Sequence, residues 1–305
     1  MTIRLTVRSV SWRSQVAGVA ASVDGLVPVV KGNGYGFGRT TLAAIAAEFT
    51  DVVAVGTVHE LEGLPDGLGQ LVLTPTMVAP RSTEPILTVG SAEHIEVLRG
   101  WGGRVLVKVT SSMRRFGRGA ELIERAGDAG LIVEGVSVHP PLAGSMSDHA
   151  VDITAATAGI PTDLSAWVSH LDPATYRSLP ADRAHRLRLG TMLWHSDKSA
   201  LHLQADVLDV RPVRAKEPAG YRMTAIPDDG HIVIVGAGTA GGVAALADGR
   251  SPFHHEQRRI ALLEPPHMHV SMLFVPADES VPTIGSWVDL QRPLHMTAVD
   301  EYRWI

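Results

Sequence analysis

The chain of 305 residues has no cysteine. Its absence removes disulfide frameworks, thiol nucleophiles and cysteine-ligated zinc. It is compatible with a reducing compartment, and the expected location is the cytoplasm. No run of eighteen apolar residues is present, so no membrane span is expected. Residues 1–10 alternate polar and apolar and lack the apolar core of a signal peptide. Blocks of basic residues are missing too. With a net charge of −5, nucleic acid is a poor partner. What the chain does have is 45% hydrophobic residues against 19% charged ones, which allows a sizeable core and argues against disorder. The length suits one large domain with a smaller one, or two medium ones.

Strand and helix patterns alternate about eight times over the first 195 residues. Apolar runs at 27–30, 51–58, 70–76, 85–89, 104–109, 131–138, 167–171 and 186–189 read as strands bounded by turn residues. Helical spacing at 11–23, 40–49, 91–101, 119–130, 147–159 and 172–179, with a short piece at 59–64, falls between them. Residues 1–9 alternate like one further strand. Such alternation predicts a parallel sheet with crossover helices, and eight units favour a closed (β/α)8 barrel over an open sheet. After Trp194 helical periodicity fades. Short β-type runs at 201–210, 232–235, 260–263, 268–274 and 287–290 predict a mostly β second domain. The expected division is 1–196 for the barrel and 197–305 for the β domain.

The most distinctive stretch is Val29-Val30-Lys31-Gly32-Asn33-Gly34-Tyr35-Gly36. A buried strand delivers a lysine to its mouth, where the amine can lose its proton and become a nucleophile able to form a Schiff base. Three glycines then let the backbone approach a bulky or anionic group. From these residues alone, an ordinary solvated lysine at a strand end is the favoured reading. Other polar residues also follow apolar strands: Lys108 with Arg115, His139, Ser169 with His170, and Arg188. In a barrel, chemistry sits at the carboxyl ends of the strands. Together these residues predict a basic pocket for an anionic ligand.

At this point the residues match a pattern. The chain resembles the alanine racemases, fold-type III enzymes that depend on pyridoxal phosphate. Val-Val-Lys-x-x-x-Tyr-Gly is present at 29–36. Residues 55–62, Val-Gly-Thr-Val-His-Glu-Leu-Glu, resemble the family's strand with an acidic helix start. Residues 107–117 resemble its Leu-Lys-Val-Asp-Thr-Gly-Met-x-Arg-Leu-Gly stretch, 133–139 its Ile-Glu-Gly-x-x-x-His strand, and 188–194 its Arg-x-Gly-x-x-x-Tyr. The matches are collinear. The resemblance implies that Lys31 holds the cofactor and acts as one acid/base, with Tyr221 as the other, contributed across a homodimer interface. It implies that Arg188 faces the pyridine nitrogen, and that Tyr35 with the amides of Gly190 and Thr191 binds phosphate. Ser169 and His170 stand where the family has its phosphate-binding Asn-Ser pair. His139 would pack beside the cofactor ring. Arg115 would hold the substrate carboxylate or the cofactor phenolic oxygen, steadied by Lys108, a residue carbamylated in many relatives. Met268 would lie near the substrate, and His269 replaces the family's Asp. By this resemblance the sequence given stops at Ile305, roughly where the family continues into a final segment bearing another phosphate-binding Tyr. The implied activity is racemisation of alanine or another small amino acid, feeding cell-wall precursors. Other pyridoxal phosphate chemistry on this scaffold, or cofactor binding without catalysis, are the alternatives.

Two local signals compete. Gly236-Ala237-Gly238-Thr239-Ala240-Gly241 follows a strand and fits a dinucleotide fingerprint, or else a glycine-rich turn. His254, His255, His267 and His269 suggest metal ligands, with His267 and His269 on one strand face, or else surface and structural histidines. No metal site is expected, since no acid accompanies them at a fixed spacing.

Overall fold

The structure, a computed structural model, describes residues 2–305. Met1, where the expected first strand begins, lies outside the described residues. The chain divides into two units, one of Ser14–Ser196 and one joining the residues up to Arg13 with Asp197–Ile305.

The first unit is a closed parallel barrel of eight strands. They are β2 (Leu26–Pro28), β3 (Val52–Val55), β4 (Gly69–Val72), β5 (Leu87–Val89), β6 (Arg104–Lys108), β7 (Ile132–Ser137), β8 (Ser165–Ser169) and β9 (His185–Leu189). A six-stranded ladder runs β2-β9-β8-β7-β6-β5, and β3 pairs with β4. Single parallel bridges, Val29 to Ala54 and Leu71 to Ile86, join the two pieces into a ring. The strands are short and nearly all apolar because both faces are covered, as parallel sheets require. Val27, Val29, Val52, Ala54, Leu71, Ile86, Leu106 and Trp167 fill one cluster of the barrel core.

The crossovers carry α2 (Arg39–Ala46), α3 (Ala92–Val97), α4 (Glu121–Asp128), α5 (Met146–Thr157) and α6 (Pro173–Arg177), while α1 (Ser9–Ala21) precedes β2 and a short α7 (Thr191–Trp194) follows β9. Ser145 and Asp148 form a capping box on α5, and Asp172 caps α6 ahead of Pro173. No helix links β4 to β5. Pro75, Pro80 and Pro85 fall there, and each denies a helix a backbone donor and restricts the residue before it.

The second unit is a nine-stranded sheet with a separate small hairpin. Its centre is the long β10 (Leu201–Val213). The strands Gly230–Val235 and Trp287–Leu290 pair antiparallel with it, and Ser271–Pro276 pairs with Gly230–Val235. The expected boundary changes at the chain's start. β1 (Ile3–Val7) belongs to this unit and not to the barrel, because its buried alternate residues Ile3, Leu5 and Val7 join the β sheet. Leu5 faces Leu203 on one side, antiparallel, and Tyr302 of the parallel strand Glu301–Trp304 on the other. Trp12 packs edge-on to Trp304 at 5.4 Å.

The glycine-rich segment is not a dinucleotide fingerprint. Its last three residues, Thr239–Gly241, form a single short helical turn in place of the long helix such a fingerprint opens. Thr239 and Ala240 donate their amides to the carbonyls of His267 and Met268 at 2.8 Å each, and a Cβ on Gly238 would collide with that same segment. The glycines let two backbone segments meet. His267 and His269 correspondingly lie in an irregular segment and not on a strand face, since the strand begins at Ser271. Among the described residues, no helix is long and apolar enough to cross a membrane.

Candidate active site

The barrel encloses a cavity of about 580 Å³ lined by residues at the carboxyl ends of its strands. Lys31, Tyr35, Lys108, Arg115, His139, Ser169, His170, Arg188, Gly190 and Thr191 all border it. Tyr221 and Met268 are not in the lining. They belong to the β unit, where both are exposed.

Lys31 stands one residue past the fully buried Val30, whose amide bonds to Ala54 at 2.8 Å. Its pKa is lowered, first by burial and then by the Arg115 and Arg188 guanidinium groups, with Glu60 opposing. Glu60 is a residue the sequence reading did not single out by role. One of its carboxylate oxygens accepts the amides of Gly32 at 3.0 Å and Gly56 at 2.8 Å, pinning the lysine turn to the end of β3.

The turn after Lys31 is left-handed at Gly32, Gly34, Tyr35 and Gly36. A Cβ on Gly34 would collide with the Arg39 backbone. This path returns the Tyr35 ring to the cavity wall, where its carbonyl accepts from His195 Nε2 at 2.7 Å. Burial pushes the Tyr35 phenol up to about 12, so it stays a neutral donor. A Cβ on Gly190 would collide with that hydroxyl. The missing Cβ at Gly190 therefore leaves a cradle for the phenol beside the start of α7.

Arg188 runs under the cavity floor. Its guanidinium donates to Ser137 Oγ at 2.9 Å, to the Val138 carbonyl at 2.6 Å and to the Val168 carbonyl at 3.3 Å. Burial, then Arg115, lowers it to about 10, which still leaves it cationic at neutral pH. Ser137 was also missed. Its only sequence signal is a hydroxyl at the end of a buried strand.

His139 Nδ1 lies 2.5 Å from Ser169 Oγ. Burial, followed by Arg188 and His170, takes its pKa to about 2, so the ring is a neutral, flat wall. The His170 ring is 4.4 Å from it, centroid to centroid. His170 Nδ1 faces the carbonyls of Pro140 and Pro141 at 3.0 and 3.2 Å, which only accept, so that nitrogen carries the proton. Lys108 is buried beneath Phe116, and burial together with Arg188, Arg115 and Lys31 lowers it to about 7. Charging it would set four cations around one cavity.

Among the described residues, no carboxylate lines this cavity. Its groups suit an anion with a flat ring: guanidinium groups, a phenol and backbone amides at a glycine cradle, a neutral imidazole wall, and a lysine with a depressed pKa. They fit pyridoxal phosphate. The family model described as alanine racemase, N-terminal domain, matches residues 12–196.

The chain belongs to the alanine racemase family.

Solved structures of family members share its fold. Alanine racemase of Clostridium difficile 630 aligns with a TM-score of 0.74 at 18% identity, covering 99% of this chain and 95% of that one. The Bartonella henselae alanine racemase, solved with covalently bound pyridoxal phosphate, aligns at 0.75 and 15% identity over 100% of both chains. The Streptomyces coelicolor A3(2) enzyme aligns at 0.70 and 19%, covering 96% and 89%. No curated protein matches the chain. The family's cofactor is pyridoxal phosphate, and the barrel with its C-terminal β domain is the family's fold.

Proposed function

We propose that the chain is a homodimeric, pyridoxal-phosphate-dependent racemase of alanine or another small amino acid, working in the cytoplasm. The observation that carries this reading is the Lys31 amine, its pKa depressed, in a cationic cavity free of carboxylates beside the Gly190–Tyr35 cradle. Bound there, the cofactor would supply the electron-withdrawing system that makes a substrate Cα–H acidic. Tyr35, Gly190 and Thr191 would bind the phosphate, and Ser169 and His170 would complete that end of the cavity. Arg188, always charged at neutral pH, holds its own protons and gives none to the ring nitrogen. Arg115 would orient the substrate carboxylate, with Lys108 set behind it.

Racemisation requires a base on each face of the reacting carbon, one to remove the proton and one to return it. Lys31 serves one face. Tyr221 is the proposed second base, delivered by a second copy of the chain. Its exposure, with Met223 and Met268 exposed on the same unit, supports a covering partner. The proposed role in cell-wall precursor supply follows from alanine as substrate.

The test is to incubate the loaded protein with L-amino acids in deuterated water. Deuterium at Cα together with D-product is expected for one small amino acid. A protein that takes up the cofactor on Lys31, seen as a borohydride-fixed adduct on that peptide, yet exchanges nothing would be a carrier instead.

A further inference from the structure

Tyr221 presents a difficulty for the role proposed above. Its side chain is 86% exposed. A free phenol samples several rotamers, whereas an acid/base must be held within hydrogen-bond distance of its proton. The β unit holds it by an unusual arrangement. The Tyr221 ring lies against the His267 ring, centroids 4.4 Å apart and planes tilted by 41°. His267 Nε2 donates to Glu264 Oε1. The same carboxylate accepts the amides of Tyr221 at 2.9 Å and Arg222 at 3.0 Å. One buried side chain thus fixes both the backbone of Tyr221 and the ring against which its phenol packs.

Several features show that this is a built unit. The Glu264 side chain is 2% exposed and that of His267 16%. Burying a carboxylate is costly unless its oxygens are saturated. Here burial alone would raise the Glu264 pKa, but the His267 ring and the amides of Arg222 and Tyr221 outweigh it and hold the group below its ordinary value. Gly220 has φ +77°, and a Cβ there would collide with the carboxylate. The His267 backbone is fixed in turn, with its amide on the Val270 carbonyl at 2.9 Å and its carbonyl on the Thr239 amide at 2.8 Å. The glycine-rich turn at Gly238 is what allows that approach.

We infer that Glu264 and His267 are positioning residues for Tyr221, a Glu–His pair that aims the second base of the reaction. The inference rests on the racemase reading. It gives Glu264, His267, Gly220 and Gly238 a joint purpose: they hold one exposed phenol at a set angle.

Two measurements test it, with Glu264→Gln and His267→Ala. The first needs no cofactor. With ring-labelled tyrosine, the four tyrosines of the chain should give four sets of signals, and Tyr221→Phe assigns one of them. That signal should carry a ring-current shift that His267→Ala abolishes and Glu264→Gln reduces, while the other three stay in place. An unmoved signal overturns the inference. The second is deuterium uptake by the loaded enzyme, followed separately from each substrate enantiomer. Both variants should slow uptake at least ~10-fold for the enantiomer whose proton faces Tyr221, and leave uptake from the one facing Lys31 within about 2-fold. A general loosening of the fold would slow both alike, and that result overturns the inference while leaving the racemase reading intact. Wild-type enzyme that exchanges neither enantiomer overturns the racemase reading, and the inference falls with it.

Discussion

Lys108 shows at the level of a single residue how the cavity is held under electrostatic load. Its amine titrates near 7 in the folded chain against an ordinary 10.5. Between those values the unfolded chain binds a proton that the folded chain does not. Apo-protein stability therefore rises with pH across that window, and the penalty is complete below pH 7. Lys108→Met should stabilise the apo-protein near pH 7 by up to a few kcal/mol, with the gap closing toward pH 10. Chemical denaturation in carbonate-free buffer at two pH values measures it, and a gap independent of pH would refute the assignment. Gly190→Ala should act differently. The new Cβ displaces the Tyr35 hydroxyl, so cofactor affinity should drop by about 10-fold or more while overpacking costs roughly 1–3 kcal/mol of stability. Titration of the apo-protein with pyridoxal phosphate reports the first effect and thermal unfolding the second. Lys31 and Arg188 were readable in the sequence because a cation at the end of an apolar strand stands out. Glu60 and Ser137 were not, since their partners lie 28 and 51 residues away and neither residue type is unusual where it stands.

At the scale of elements, the turn after β2 is the piece on which the cavity depends. Gly32 and Gly34 share a left-handed backbone, but only Gly34 faces a wall. Gly32→Ala should cost about 1 kcal/mol through its backbone alone. Gly34→Ala should cost about 2 kcal/mol or more, because its Cβ collides with the Arg39 backbone and the Tyr35 ring must move. Apo-protein melting temperatures should rank the two in that order, and equal losses would show that the collision is relieved elsewhere. All eight barrel strands were legible as apolar runs. The strand Phe253–His255, which pairs with Arg258–Arg259 on one side and Trp287–Leu290 on the other, and the strand Glu301–Trp304 were not. Their residues are charged, histidine-rich or exposed, and only a neighbouring strand makes them extended.

At the scale of the whole molecule, the proposed site draws Lys31 from one copy and Tyr221 from the other. A two-fold dimer makes a sharp prediction. Lys31→Ala and Tyr221→Phe should each be inactive as homodimers. Mixed and re-associated in equal amounts, they should recover about a quarter of the wild-type rate, because half the dimers are mixed and each has one intact site. No recovery, despite mixed dimers seen by mass spectrometry, would show that both bases come from one chain.

The sequence by itself determined the barrel, the β domain after Trp194 and the cationic rim, because strand periodicity and charge at strand ends are local properties. Tertiary structure decided that β1 leaves the barrel for the β sheet, since which sheet an alternating strand joins depends on partners two hundred residues away. It also turned a dinucleotide-like glycine run into a support for the His267 segment, and Gly190 into a cradle for Tyr35. In both cases glycine's missing Cβ matters only through the atoms packed against it, and those are set by the fold.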